Sequence, residues 1–496
     1  MKNVKGMIAA VMMLLIALSA TAQVARPKLV VGLVVDQMRW DYLYVYNNMY
    51  GEGGLKRMLR DGFSCENTMI NYVPTVTSIG HASIFTGTTP AMHGISGNSF
   101  YIGNEYVGCC KDTTVTTIGS KTDKGQSSPH RMLSTTIGDE LKTATDFRAK
   151  VIGVALKDRA AILPAGHSAD AAYWWDNKAK AFITSSYYMT ELPAWVGKFN
   201  SAAKKRGIKD PMMEPAGVTL TMDMAFAAID NEQLGRHDDT DMLTISISST
   251  DAIGHTYGTR GEENRAVFKQ LDVEVERLLN HLDATVGKGN YLIFLTADHG
   301  AAHNYNLMKK NSIPAGAWES WKRVGPLNEY LKTQYPGVGN LVLGEDSYRF
   351  YLDHDAIAKA GLKLCEVKRK AMEWLQKEEG VWRVVDLDNV AGTTLPAILR
   401  EQIMNGYNPE RCGDIFVVTR PQVMITDNSS DFRGTTHGAW NPYDAHIPLV
   451  FMGWNISHGA TNERCHIVDI APTVCALLHI QMPNAAIGTA IVPVTK

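Results

Sequence analysis

The sequence predicts an α/β fold, a mostly parallel central sheet sandwiched by helices, with a small α+β insertion subdomain. Three observations lead there. Strand-like apolar runs recur at Leu29–Val35, Val151–Leu156, Met242–Ile247 and Tyr291–Leu295, separated by helix-length segments, the pattern of strands joined by helical crossovers. The runs at 29–35, 151–156 and 291–295 are almost unbroken, as strands buried on both faces are. Polar side chains then gather at the edges of such runs: Asp36, Lys157-Asp158-Arg159, Asp251 with His255, Asp298-His299-Gly300, and Thr436-His437-Gly438 shortly before His446–Phe451. Open α/β sheets bind ligands at the carboxyl ends of their strands, so these edges point to one crevice.

Taken in order, residues 1–22 read as a signal peptide. Lys2 and Lys5 lead into the apolar run Met7–Leu18, and Ala20-Thr21-Ala22 supplies a small-x-small cleavage site. The run is shorter than the roughly 20 residues of a spanning helix. The mature protein is therefore expected to be exported to the periplasm, with no membrane association after cleavage. Residues 23–300 and 435–496 are expected to form the main α/β domain, with 301–434 inserted. Met242–Ile247 is less pure than its fellows, since Thr244 and Ser246 alternate with apolar residues. Ala225–Arg236 and Glu262–Val286 read as helices. The second carries Phe268, Leu271, Val275, Leu278, Leu279 and Leu282 at helical spacing, a core stripe. Residues 95–135, rich in Gly, Thr, Ser and Lys, read as an excursion over the active face. Within the insertion, Asn340–Leu352, Val381–Leu387 and Ile415–Val423 read as strands and Leu364–Glu379 as a helix. The chain returns to the main sheet at 446–452 and ends on a helix, Asp469–Leu478.

Composition excludes some functions. A net charge of −2 gives no basic footprint for nucleic acid. Seven cysteines lack any CxxC pair, which argues against a thiolate zinc ribbon, and the odd count leaves at least one thiol unpaired in a monomer.

The edges carry metal chemistry. Asp251 and His255 are four residues apart, so one helical turn sets both on the same face. Asp298 and His299 precede Gly300, where the chain can bend and aim both into a cleft. With Asp36 and His437 they make three Asp and three His, enough for two zinc ions with three protein ligands each, as open catalytic sites require. Taken singly, an Asp at a strand end is more often a cap or turn former, and a His more often a hydrogen-bonded core residue. Their joint occurrence favours metal.

Thr77 lies in Pro74-Thr75-Val76-Thr77-Ser78-Ile79-Gly80-His81-Ala82-Ser83, where an extended entry gives way to a helix start. The free N–H groups of such a start favour an anion. Helix capping is the commoner role for a Thr there, and Thr75 and Ser78 compete for either role. Lys157 and Arg159, two apart on a segment read as extended, would leave on one side. Arg meets two phosphate oxygens with its planar fork and Lys adds a point charge. A monoester dianion with three free oxygens gains more from them than a diester does.

At these residues the chain resembles the alkaline phosphatase superfamily, most closely the bacterial phosphate-irrepressible alkaline phosphatases with a threonine nucleophile. The resemblance runs from Val31–Val35 to Asp469–Thr473. It rests on Pro74-Thr75-Val76-Thr77 with Gly80–Ser83, Leu156–Arg159, Thr250-Asp251 with Gly254-His255, Ala297–Gly300 and Thr436–Gly438 in that order. It implies Thr77 as nucleophile, one zinc on Asp251, His255 and His437, and a second on Asp36, Asp298 and His299 with Thr77 as fourth ligand. Asn98 matches a phosphate-contacting Asn, and His81 and His93 match structural positions. Lys157 and Arg159 mark the monoesterase branch, with Lys157 where other members use a third metal. Two Zn2+ and no magnesium are thus expected.

The expected function is an exported zinc-dependent phosphomonoesterase acting through a phosphothreonine intermediate. Its partners would be small phosphate monoesters, and its state monomeric. The alternative keeps the metals and takes diesters, as the nucleotide pyrophosphatase/phosphodiesterase relatives do. A sulfatase needs a C/S-x-P-x-R context that residues 74–83 lack. A non-catalytic phosphate- or glycan-binding protein would not need all six ligands.

Overall fold

The computed structural model describes residues 24–495, so the segment read as a signal peptide lies outside it. Its centre is an eleven-stranded mixed sheet. The labelled strands are β1 (Leu29–Val35), β2 (Phe63–Met69), β3 (Val151–Ala155), β4 (Ala171–Asp176), β5 (Ala181–Ser185), β6 (Asp241–Ile247), β7 (Tyr291–Thr296), β8 (Leu449–Gly453) and β9 (Gly459–His466). Across the sheet β2, β8, β7, β1, β6, β3, β4 and β5 follow one another, and β9 pairs with β2. The middle of this order is parallel: β7 with β1, β1 with β6, β6 with β3, β3 with β4. β1, β3, β6 and β7 are buried along their whole length, and all but β6 are almost entirely apolar, as strands covered on both faces are. The sheet continues antiparallel through β8 on one side and β5 on the other.

The register sets the site. Val34 faces Thr296, Val35 faces Ile247, and Ala155 faces Ser246. Four parallel strands therefore end in line, roughly 4.8 Å apart, and the residues that follow them share one edge.

Helices cover the sheet. Helix α1 (Thr77–Thr86) is buried along its whole length, and Phe85 lies against Phe294 of β7 with ring centroids 5.9 Å apart. Helix α2 (Asp158–Ala165) follows β3 directly, and helix α4 (Ser249–Tyr257) follows β6. Helix α5 (Glu262–Leu282) buries Phe268, Leu271, Val275, Leu278, Leu279 and Leu282 as the periodicity requires. The helix expected at 225–236 is instead α3 (Ala216–Asn231), starting nine residues earlier at the Pro215–Ala216 junction.

The 301–434 segment carries a four-stranded antiparallel sheet over its own apolar cluster, around Phe350, Val367, Leu375, Val385, Leu399 and Val417. The single strand expected over 340–352 is a hairpin, Val342–Asp346 and Arg349–Leu352, turned at Ser347 and Tyr348 with φ 52° and 71°. Residues 95–135 are not all loop: Ser99–Ile102 and Glu105–Gly108 pair as a hairpin beginning one residue after Asn98. Among the described residues no helix is long and apolar enough to cross a membrane.

Candidate active site and metal centres

Asp36 follows β1, Lys157 follows β3, Asp251 and His255 lie on α4 after β6, and Asp298 and His299 follow β7. His437 arrives from the loop that closes the insertion. These seven residues meet at the carboxyl edge of the sheet. His255 Nε2 lies 3.0 Å and His437 Nε2 3.6 Å from Asp251 Oδ1. His299 Nε2 lies 3.5 Å from both Asp36 Oδ1 and Asp298 Oδ2. The His299 and His437 rings stack with centroids 3.5 Å apart, so the two clusters adjoin. Two sets of potential ligand atoms converge within 4.8 Å: Asp251, His255 and His437, and Asp36, Asp251 and His299. Asp298 reaches the second set through its contact with His299.

The donor chemistry fits cations. All three histidines engage a backbone carbonyl through Nδ1: His255 on Thr435 at 2.9 Å, His437 on Thr75 at 2.7 Å, His299 on Gly300 at 3.0 Å. A carbonyl only accepts, so Nδ1 carries the hydrogen and a neutral ring keeps its Nε2 lone pair toward the carboxylates, the tautomer of a metal ligand. Asp36 Oδ1, Asp298 Oδ2 and His299 Nε2 are all buried without a hydrogen-bond partner. Acceptors facing acceptors in a dry site are costly unless a cation lies among them.

Electrostatics agree. Burial, then Asp251 and Asp298, raise the Asp36 carboxyl well above its usual range. Burial opposes ionisation of Asp251 too, yet His255 and Lys157 hold it well below. Burial, followed by His299 and His255, pushes His437 down, and burial also lowers His299. Lys157 is a permanent cation here, and its Nζ sits 2.6 Å from both Asp36 Oδ2 and Asp251 Oδ2. It bonds the oxygens opposite those that face the histidines.

The three candidate hydroxyls separate. Thr77 is the first residue of α1 and not its cap; Val76 holds that position with no side-chain cap bond. Thr75 Oγ1 donates to Ala439 O and accepts from Gly438 N–H, while Ser78 Oγ is buried without a partner. Asn98 Oδ1 accepts from Ser78 N–H at 3.1 Å, which brings it beside Thr77. The start of α1 is pressed onto the β7 edge: a Cβ at Gly80 would lie 2.3 Å from Asp298 O, so only glycine permits this approach. Gly300 has a similar reason, a Cβ there lying 2.3 Å from Tyr443 O.

Lys157 and Arg159 are not both extended. Lys157 is the last extended residue and Arg159 lies in the first turn of α2. The Arg159 Nε is buried without a partner, and its nearest carboxylate is Asp158 Oδ1, 3.6 Å from Nη1. Its guanidinium is left with donors to spare. His81 engages Thr77 O through Nδ1 and Ser246 Oγ through Nε2, and His93 bonds Ser83 Oγ and Ile95 N–H. His81 Nδ1 also lies 3.3 Å from Asp298 Oδ2, and burial takes His93 down to about 3.

Arg349, fully buried in the insertion hairpin, was not visible as a site residue in the sequence. Its guanidinium donates to Ser96 O and to Cys412 Sγ, and so holds the turn two residues before Asn98. Arg349→Lys should lower kcat/KM about tenfold, by loosening Asn98 by a fraction of a hydrogen bond. The same change in an Asn98→Ala background should do almost nothing, which a double-mutant cycle in steady-state kinetics checks.

Comparison with known proteins places the chain in a family. The family model for type I phosphodiesterase / nucleotide pyrophosphatase matches residues 30–441. A Myroides odoratus protein named calcium-transporting ATPase is 42% identical over 96% of this chain and 96% of its own length. Alkaline phosphatase PafA of Elizabethkingia meningoseptica is 42% identical over 96% and 95%. The crystal structure of wild-type PafA superimposes with a TM-score of 0.91 at 42% identity, covering 95% of this chain and 100% of that one. The chain belongs to the type I phosphodiesterase / nucleotide pyrophosphatase family and, within the alkaline phosphatase superfamily, to the group that contains PafA.

Proposed function

We propose that this chain is an exported phosphomonoesterase with two zinc ions, acting through a phosphothreonine intermediate. The observation that carries it is the convergence of three Nε2 lone pairs and two unpartnered carboxylate oxygens beside an anion-ready helix start bearing Thr77. Asp251, His255 and His437 would hold one zinc; Asp36, Asp298 and His299, with Thr77, the other. When bound, the metals supply charge to the attacking and leaving oxygens and lower the pKa of a coordinated hydroxyl.

The chain's own residues do the rest. Thr77 Oγ, its proton released to solvent, attacks phosphorus as the bond to the leaving alkoxide breaks; the alkoxide takes up a proton from solvent, and phosphothreonine forms. Water then attacks phosphorus from the vacated side, and Thr77 departs as inorganic phosphate is released. The N-terminal amides of α1 that Asn98 does not already occupy, with Asn98 and Arg159, bind the equatorial oxygens and orient the group in line. Lys157 balances their charge while pinning Asp36 and Asp251. Both relatives' names, ATPase and phosphatase, describe hydrolysis at phosphorus.

Diester hydrolysis is the second reading, favoured by the family model's description. Lys157 and Arg159 weigh against it, since a diester has two free oxygens to offer where a monoester has three. With the zinc-loaded protein, kcat/KM for an aryl phosphate monoester should exceed that for its diester by more than about tenfold, or about 1.4 kcal/mol. A tenfold preference for the diester overturns the choice. Arg159→Ala should cut monoester kcat/KM by about 100-fold and leave the diester within about threefold, measured on the same substrate pair.

A further inference from the structure

Gln37 follows Asp36 at φ 63°. That left-handed conformation is one that side chains rarely adopt and glycine adopts freely. A large residue kept there points to work that glycine could not do. Gln37 is 3% exposed and its two donors go to two different carboxylates. Its side-chain Nε2 donates to Asp251 Oδ1 at 2.6 Å, and its backbone N–H donates to Asp298 Oδ1 at 3.2 Å. Asp251 Oδ1 is the oxygen that faces His255 and His437. Asp298, held by Oδ1, keeps Oδ2 toward His299.

Helix α4 makes room for this amide. A Cβ built on Gly254 would lie 2.0 Å from Gln37 Oε1, and its three nearest atoms all belong to Gln37. The glycine between Asp251 and His255 is thus a notch filled by Gln37.

We propose that Gln37 is a positioning residue that aims the Asp251 carboxylate at the metal shared with His255 and His437, and that Gly254 is the notch admitting it. The inference rests on the two-metal reading above. It adds a division of labour: the side chain serves the Asp251 cluster, and the backbone N–H serves Asp298. Gln37→Gly therefore removes the first contact, spares the second and suits the backbone. Partners that orient metal ligands typically contribute 10- to 100-fold in affinity.

The test is a zinc titration of the metal-stripped full-length chain against a competing chromophoric chelator. Wild type should take up two zinc ions. Gln37→Gly should weaken one of them by about 10- to 100-fold and leave the other within about threefold. Gln37→Met, which keeps the volume and loses the donor, gives the same reading if the glycine variant does not fold. Gly254→Ala should weaken the same ion by displacing Gln37. The double variant Gln37→Gly with Gly254→Ala should be no worse than Gln37→Gly alone, because the notch is then empty. Gln233→Gly, at another positive φ on the exposed surface, should leave both affinities unchanged. Two zinc ions bound as tightly by the Gln37 variants as by wild type would overturn the inference and spare the two-metal reading. Equal weakening of both ions, or additive losses in the double variant, would also overturn it. A wild type that takes up no second ion would overturn both.

Discussion

Thr77→Ala is expected to lower monoesterase kcat by at least about 1,000-fold while both metals stay bound. Losing a nucleophile removes the covalent route, and the remaining site contributes only binding and electrostatic stabilisation. Thr77 opens α1 beside Asn98, and Thr75 is already bonded to Ala439 and Gly438. Thr77→Ser should keep most of the turnover, since it keeps the oxygen. Rapid-quench assays on zinc-counted protein check both. An Ala variant within tenfold of wild type would remove Thr77 from the reaction.

The second large effect is on stability. Lys157 Nζ bridges Asp36 and Asp251, and replacing it with Met leaves two buried carboxylates without their cation. Breaking a buried pair by removing one partner costs about 3–5 kcal/mol. The metal-free Lys157→Met protein should therefore lose about 3 kcal/mol, read from denaturant unfolding. The zinc-loaded variant should lose much less, because the metals supply the missing charge. Equal losses in the two states would mean that Lys157 and the metals do not share these carboxylates.

How much of this was legible in the sequence depended on burial. β1, β3 and β7 are apolar throughout because both faces are covered, and they stand out from their surroundings. β2 and β9 do not. Phe63-Ser64-Cys65-Glu66-Asn67-Thr68-Met69 is largely polar, and much of Gly459–His466 is exposed, so neither carries an apolar run. The hairpin β4–β5 was missed as well. The turn at Ser347-Tyr348 has positive φ without the glycine or asparagine that signals it.

The candidate site was readable where its Asp and His side chains sit next to strands or share a helical turn, as Asp298-His299 and Asp251-His255 do. Asn98 was reachable only through resemblance. Its link to Ser78 spans 20 residues, and no local pattern encodes it. Arg349 lies 253 residues from the carbonyl it holds, and a buried arginine in an insertion has no motif. Gln37 stands beside Asp36 in the sequence, yet its φ and its bond to Asp251, 214 residues away, belong to the fold alone.

The most direct test of the central claim is a metal count by elemental mass spectrometry on the purified chain dialysed against zinc. Six converging Asp and His side chains, with orphaned Asp36 Oδ1, Asp298 Oδ2 and His299 Nε2 among them, lead the account to predict two zinc ions per chain. A chain that retains none, or only one, would contradict the account.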